Sequence, residues 1–193
     1  TPTPISEWAM DRSKALIRPE DVNDPEVVRT IRGFEPDALV VIAFGQKIGE
    51  PLLQDLPAFN LHASLLPAYR GAAPINRAMI DGCSETGVSV IELAQRMDAG
   101  DVHATRTLEI DPLETAGELH DRLAALGPDA VESVLEALAA GTTRGIVQDE
   151  ALVSQAPKLS RAEASVDFLD DASRVRDRIH GLTPWPGCDI DLD

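Results

Sequence analysis

Lysine is nearly missing from this chain. Lys14, Lys47 and Lys158 are its three lysines in 193 residues, and with arginine they make 17 cations against 33 Asp and Glu, a formal charge of −16. Binding a nucleic-acid backbone draws on a basic surface that displaces counterions from phosphates, and this balance supplies none overall. The acidic excess reads first as solvation. Long apolar runs are absent as well: the longest, residues 38–44, is bounded by Asp37 and Gly45, far short of the roughly 20 residues of a membrane-spanning helix. Two cysteines, Cys83 and Cys188, lie far apart with no Cys-x-x-Cys or Cys/His ligand spacing, which argues against a disulfide framework or a structural zinc site and makes a reducing cytoplasm the expectation. Thr1-Pro2-Thr3-Pro4 shows neither Met nor a basic-then-apolar leader, so no signal peptide is expected. With 44% hydrophobic residues, the chain can bury one core, or one domain and a piece of another.

Apolar spacing predicts a helix over residues 5–17, stopping before Pro19, and a second one opened by Asp24-Pro25 and closed at Gly33. Residues 38–44, unbroken and β-branched, read as a strand buried on both faces, and a helix feeding such a strand points to a parallel α/β sheet. Residues 59–64 alternate strictly, which places Asn60, His62 and Ser64 on one side and Phe59, Leu61 and Ala63 on the other. A helix from Pro74 to Ile80 follows, then strands over 88–93 and 102–110, joined through a turn at Asp98-Ala99-Gly100-Asp101. Thr115 with Glu118 forms a capping box, and Gly127-Pro128 is expected to end that helix and start another running to Gly141. Residues 142–163 lose periodicity and read as a linker. A helix over 172–179, a rigid turn at Pro184-Trp185-Pro186-Gly187 and an Asp-rich strand complete the pattern.

Asn60 and His62 lie roughly 6.6 Å apart along a strand rising ~3.3 Å per residue, on one side of it. That spacing suits two groups flanking one reacting atom. An Asn amide donates to an oxyanion without titrating and a His exchanges a proton near neutral pH, so the pair fits attack on a carbonyl or formyl carbon. A catalytic zinc wants three protein ligands; only His62 has a motif around it, so no metal site is expected. Asp101, His103 and His120 read as turn, exposed strand face and helix surface.

The run from Asn60 through Ser64-Leu65-Leu66-Pro67 to Arg70-Gly71 and Pro74 resembles the signature of the 10-formyltetrahydrofolate-dependent transformylases. Gly71-Ala72-Ala73-Pro74-Ile75, Glu85-Thr86-Gly87-Val88, Met97-Asp98-Ala99-Gly100-Asp101, Lys158-Leu159-Ser160 and Pro184-Trp185-Pro186 look like the branch of that family acting on methionyl-tRNA. The resemblance implies a Rossmann-like α/β formyltransferase domain with a mostly parallel, doubly wound sheet over residues 1–143, N-terminally incomplete, a linker at 144–162, and the start of a C-terminal tRNA-binding domain at 163–193. It implies transfer of a formyl group from 10-formyltetrahydrofolate, as co-substrate, to the α-amino group of initiator methionyl-tRNA in translation initiation, by a cytoplasmic, membrane-free monomer. The catalytic trio then falls on Asn60, His62 and Asp98, and the folate-contacting loop on Ser64, Leu65, Leu66 and Pro67. Asn60 would hold the formyl oxygen, His62 would assist that stabilisation or the proton traffic, and Asp98 would orient His62, favour its charged form or hold a relay water. Family members begin with strand–helix units and a basic tRNA-holding loop, so a fragment is expected here. The alternatives are a transformylase acting on a sugar nucleotide or glycinamide ribonucleotide, and a non-catalytic module that binds folate or a partner.

Overall fold

Asp24 shows how directly some of these residues dictate their structure. In the computed structural model, which describes residues 3–189, its carboxylate accepts from the Glu26 and Val27 amides and opens helix α2 (Pro25–Arg32) with Pro25 in the first turn. Helix α1 (Pro4–Asp11) precedes it and ends earlier than the apolar spacing suggests. The Ser13 amide donates to the Met10 carbonyl and the Lys14 amide to that of Ala9, with Ser13 at φ +50°. This pair of bonds closes the helix in a Schellman turn and leaves Leu16 and Ile17 exposed. A short helix α3 (Glu50–Leu53) completes a unit formed by residues 3–37 and 44–56. Asn23 holds that unit together, accepting from the Gly49 amide at 2.6 Å and donating to the Lys47 carbonyl at 2.9 Å.

The second unit, residues 38–43 and 57–189, contains the sheet. Strands β1 (Leu39–Ile42) and β2 (Ala58–His62) pair in parallel; after a two-residue strand β3 (Arg70–Gly71) and helix α4 (Pro74–Ile80), β4 (Glu85–Glu92) pairs antiparallel with β2 and β5 (Val102–Glu109) antiparallel with β4. The spatial order is β1-β2-β4-β5. The expected α/β architecture is present, with its parallel pairing in β1–β2; among the described strands β2–β4 and β4–β5 pair antiparallel, the latter because residues 93–101 turn the chain back between its strands. β1 is also not buried on both faces: it is an edge of the described sheet, and Ile42 is 60% exposed. The strand buried on both faces is β4, buried from Thr86 to Ile91.

One helix covers this sheet where two were expected. α5 (Ala116–Ala139) runs 24 residues with Pro128 inside it, opened by the Thr115/Glu118 capping box. Its buried stripe, Leu119, Leu123, Ala130 and Val134, packs with Phe59, Met79, Val88 and Val90 into the main core. Gly127 serves as the point of closest approach: a Cβ there would lie 2.7 Å from Leu61 Cδ2. The stretch read as a linker is fastened both to this sheet and to a separate two-stranded one, β3–β6. Ile146 bridges Val102, and strand β6 (Gln155–Ala156) pairs in parallel with β3. Gly145 lies against His103, whose ring was expected on an exposed face; both its nitrogens are buried without a protein partner, and it sits edge-on to Phe59 at 5.1 Å. Helix α6 (Ala172–Leu182) then packs on α4, where Asn76 Nδ2 donates to the Gly181 carbonyl. Asp189 bridges Ser165; the rest of the expected Asp-rich strand, residues 190–193, lies outside the described residues, as do Thr1 and Pro2.

Candidate active site

His62 is the last residue of β2 and is 6% exposed. Its Nε2 lies 2.9 Å from the Tyr69 carbonyl. A carbonyl can only accept, so Nε2 carries a proton and Nδ1 is the nitrogen left to exchange one. Nδ1 is 3.7 Å from Asp98 Oδ2, within ion-pair reach and beyond a direct hydrogen bond. Asn60, two residues back on the same strand face, is half-buried, and its carboxamide has no hydrogen-bond partner among the described residues. An imidazole, a carboxylate and an unengaged amide donor thus stand at the carboxyl end of β2, where open α/β sheets place their ligand crevices.

The loop that follows is held from beneath by β4. Ser89, fully buried, donates to the Ser64 carbonyl at 2.7 Å and accepts from the Leu66 amide at 3.1 Å, while Ser64 Oγ donates to the Ala68 carbonyl at 2.6 Å. Ser64 and Leu66 are buried by this arrangement; Leu65 and Pro67 are half-buried. The Leu66–Pro67 peptide is cis and Tyr69 takes φ +61°, which turns its carbonyl toward His62. The Tyr69 phenol donates to Asp81 at 3.0 Å and contacts Cys83 Sγ at 3.1 Å. Burial first, then those two neighbours, push its pKa well above the ordinary tyrosine value, so it stays a donor.

Asp98 is gripped at several points. It sits at φ +53°, and its Oδ2 accepts from the Gly71 amide at 2.9 Å. Its own carbonyl accepts from Gln148 Nε2 at 2.8 Å, and the Gly100 carbonyl accepts from the same nitrogen at 2.7 Å. Gln148 Oε1 in turn accepts two bonds from the buried Arg70 guanidinium, at 3.0 and 2.8 Å. Arg70 also pairs with Glu150, which Arg96 bonds from the other side; hydrogen bonds from Arg96 and Arg70 hold the Glu150 carboxyl below its ordinary range. The structure sets Asp98 against His62, with Asn60 two residues back on the same strand and the 64–67 loop beginning two residues beyond His62. It adds the Tyr69 carbonyl, the Gly71 amide, Arg70 and Gln148. Arg70 and Gly71 stood inside the recognisable run; Gln148 sits in an aperiodic stretch that gives no signal. A groove of about 410 Å³, lined by Phe168, Val175 and Ile179 among others, lies along α6 and does not include the site residues.

The sequence profile of the family described as formyl transferase matches residues 4–135. The chain belongs to this family. It is 40% identical over 195 residues to a methionyl-tRNA formyltransferase from Geobacter metallireducens, covering 100% of this chain and 62% of that protein. It is 42% identical over 189 residues to one from Moorella thermoacetica, covering 96% and 60%. The chain thus spans about three fifths of the length of these curated relatives. A variant of HypX from Aquifex aeolicus superposes with a TM-score of 0.78 at 21% identity, over 96% of this chain and 34% of that one. HypX in complex with tetrahydrofolic acid gives 0.74 at 22% identity, over 86% and 29%. At these identities the likeness is one of fold, and it is the α/β fold of this formyl transferase chain. Among the described residues no helix is long and apolar enough to cross a membrane.

Proposed function

We propose that this formyl transferase moves a formyl group from 10-formyltetrahydrofolate to the α-amino group of initiator methionyl-tRNA, in translation initiation. The observation that carries the reading is the 3.7 Å approach of Asp98 Oδ2 to His62 Nδ1, two residues along β2 from Asn60. The substrate amine attacks the formyl carbon, and the C=O electron pair moves onto oxygen. Asn60 donates to that oxygen as it becomes anionic, where a preorganised donor acts most strongly. The attacking nitrogen sheds a proton, the pair on oxygen re-forms the C=O bond, and the folate nitrogen leaves with the electrons of its broken bond to the formyl carbon and gains a proton. His62 Nδ1, backed by Asp98, serves that traffic, and the Nε2 bond to Tyr69 holds the ring while it does so. Ser64 and Leu66 shape the loop from inside, so the folate meets it through Leu65, Pro67 and the backbone.

On this reading residues 1–143 belong to the formyl-transfer domain, 144–162 connect, and 163–193 begin a tRNA-binding domain. The protein works as a cytoplasmic monomer without a metal. The test is formylation of charged initiator methionyl-tRNA by the full-length protein, run beside an amino-sugar nucleotide and glycinamide ribonucleotide. Asn60→Ala and His62→Ala each lower turnover by at least roughly 100- to 1,000-fold with little change in folding, read by circular dichroism. Wild-type turnover in both variants defeats the catalytic assignment, and formylation of one of the small amines in place of the tRNA replaces the substrate.

A further inference from the structure

We infer that Gln148 is a positioning residue for the formyl transfer, acting through Asp98. The inference rests on the catalytic reading just given. A carboxylate that must stay beside His62 needs its backbone fixed as well as its side chain, and Asp98 occupies a left-handed conformation that costs a non-glycine residue free energy unless its surroundings impose it. The Gly71 amide fixes the carboxylate, and Gln148 fixes the backbone. Both Nε2 hydrogens are committed, one to the Asp98 carbonyl and one to the Gly100 carbonyl two residues on. The amide cannot flip to release them, because Oε1 takes two donors from Arg70. Arg70 and Gly71 are neighbours in β3, so the same two-residue strand reaches Asp98 directly through one amide and indirectly through Gln148. Gln148 is 6% exposed and Arg70 3%, so water does not compete for these bonds. Its side chain ties the residue that supports His62 to the loop that starts at His62.

Displacing a catalytic group by about 1 Å can cost on the order of 100-fold. Gln148→Ala in the full-length protein is therefore expected to lower kcat roughly 10- to 100-fold with KM for both substrates within about twofold. Gln148→Glu keeps the size and an oxygen acceptor for Arg70 but sets oxygen against the two carbonyls; it is expected to lose as much kcat while still giving the wild-type circular dichroism spectrum below its own melting transition, which separates positioning from folding. The decisive readout is coupling. In an Asp98→Asn background, Gln148→Ala is expected to add less than about threefold. Loss in Asp98→Asn together with wild-type kcat in folded Gln148→Glu, or with full multiplication of the two effects in the double variant, overturns the positioning role and leaves the catalytic reading intact. Wild-type kcat in Asp98→Asn itself overturns that reading, and the role of Gln148 with it.

Discussion

Gly71 combines two properties that no other residue type offers at this point of the chain. Its φ is +131°, and a Cβ would lie 2.5 Å from the Ala156 carbonyl oxygen on the paired strand, while its amide is the donor to Asp98. Gly71→Ala therefore loses on two counts: about 1–3 kcal/mol for the backbone conformation, and a backbone collision that can be relieved only by opening the β3–β6 pair. Urea denaturation is expected to show a loss of about 2 kcal/mol or more, and kcat is expected to fall with it as the amide leaves Asp98; unchanged stability refutes the tight approach. At this scale the sequence is legible where chemistry follows from local spacing. Asn60 and His62 share a strand face because alternation has a period of two, and a chemically dense run follows them. Gln148 and His103 were opaque for a common reason. Arg70 meets Gln148 from 78 positions away, and His103 is buried by a stretch around Gly145 with no periodicity of its own. Neither encounter leaves a mark on neighbouring residues.

Elements were legible where a cap and a stripe agree. The Asp24-Pro25 start, the Thr115/Glu118 box and the two strands on either side of the Asp98 turn all form as their residues dictate. Pro128 is where a local rule loses. Proline inside a helix removes one hydrogen bond and crowds the preceding turn, at about 3 kcal/mol. Breaking α5 there would unseat Ala130, Val134 and the partly buried Val131 and Leu138 from the core. Burying each of the larger side chains contributes about 1.5–3 kcal/mol, so continuing the helix wins. Pro128 itself is exposed, and its ring adds nothing to the core. Pro128→Ala is thus expected to restore the bond to the Ala124 carbonyl and raise stability by about 1–3 kcal/mol, read as a higher melting temperature. A lower one would mean that Pro128 itself, and not the stripe alone, seats α5 on the sheet.

For the whole chain the scarce resource is positive charge, and the structure spends several of its arginines on the polypeptide beyond α5. Arg70 takes Gln148 and Glu150, Arg96 takes Glu150, Arg77 takes the Pro157 carbonyl and Glu163, and Arg178 takes the Glu163 and Ser165 carbonyls. With 17 cations facing 33 anions, carboxylates repel one another over most of the surface, and a paired carboxylate stands out by its titration. The Arg77 guanidinium is the largest influence holding the Glu163 carboxyl below its ordinary range, with the Ser160 amide also lowering it. A carboxylate depressed in the folded state contributes stability that is complete above the unfolded value near ~4.3 and is lost as pH falls through the folded one. Protonation of unpaired acids over the same range relieves repulsion and works in the opposite direction. A total stability curve therefore mixes the two, whereas the difference between wild type and Glu163→Gln isolates the pair. That difference is expected to be positive at pH 7, to shrink as the pH drops below about 4, and to weaken in high salt because the pair is partly exposed. Urea unfolding of both proteins at pH 7 and at pH 3 measures it. A difference that keeps its size at the lower pH would mean that the charge pairing of Glu163 with Arg77 does not set it, since Gln keeps the oxygen that accepts from Ser160.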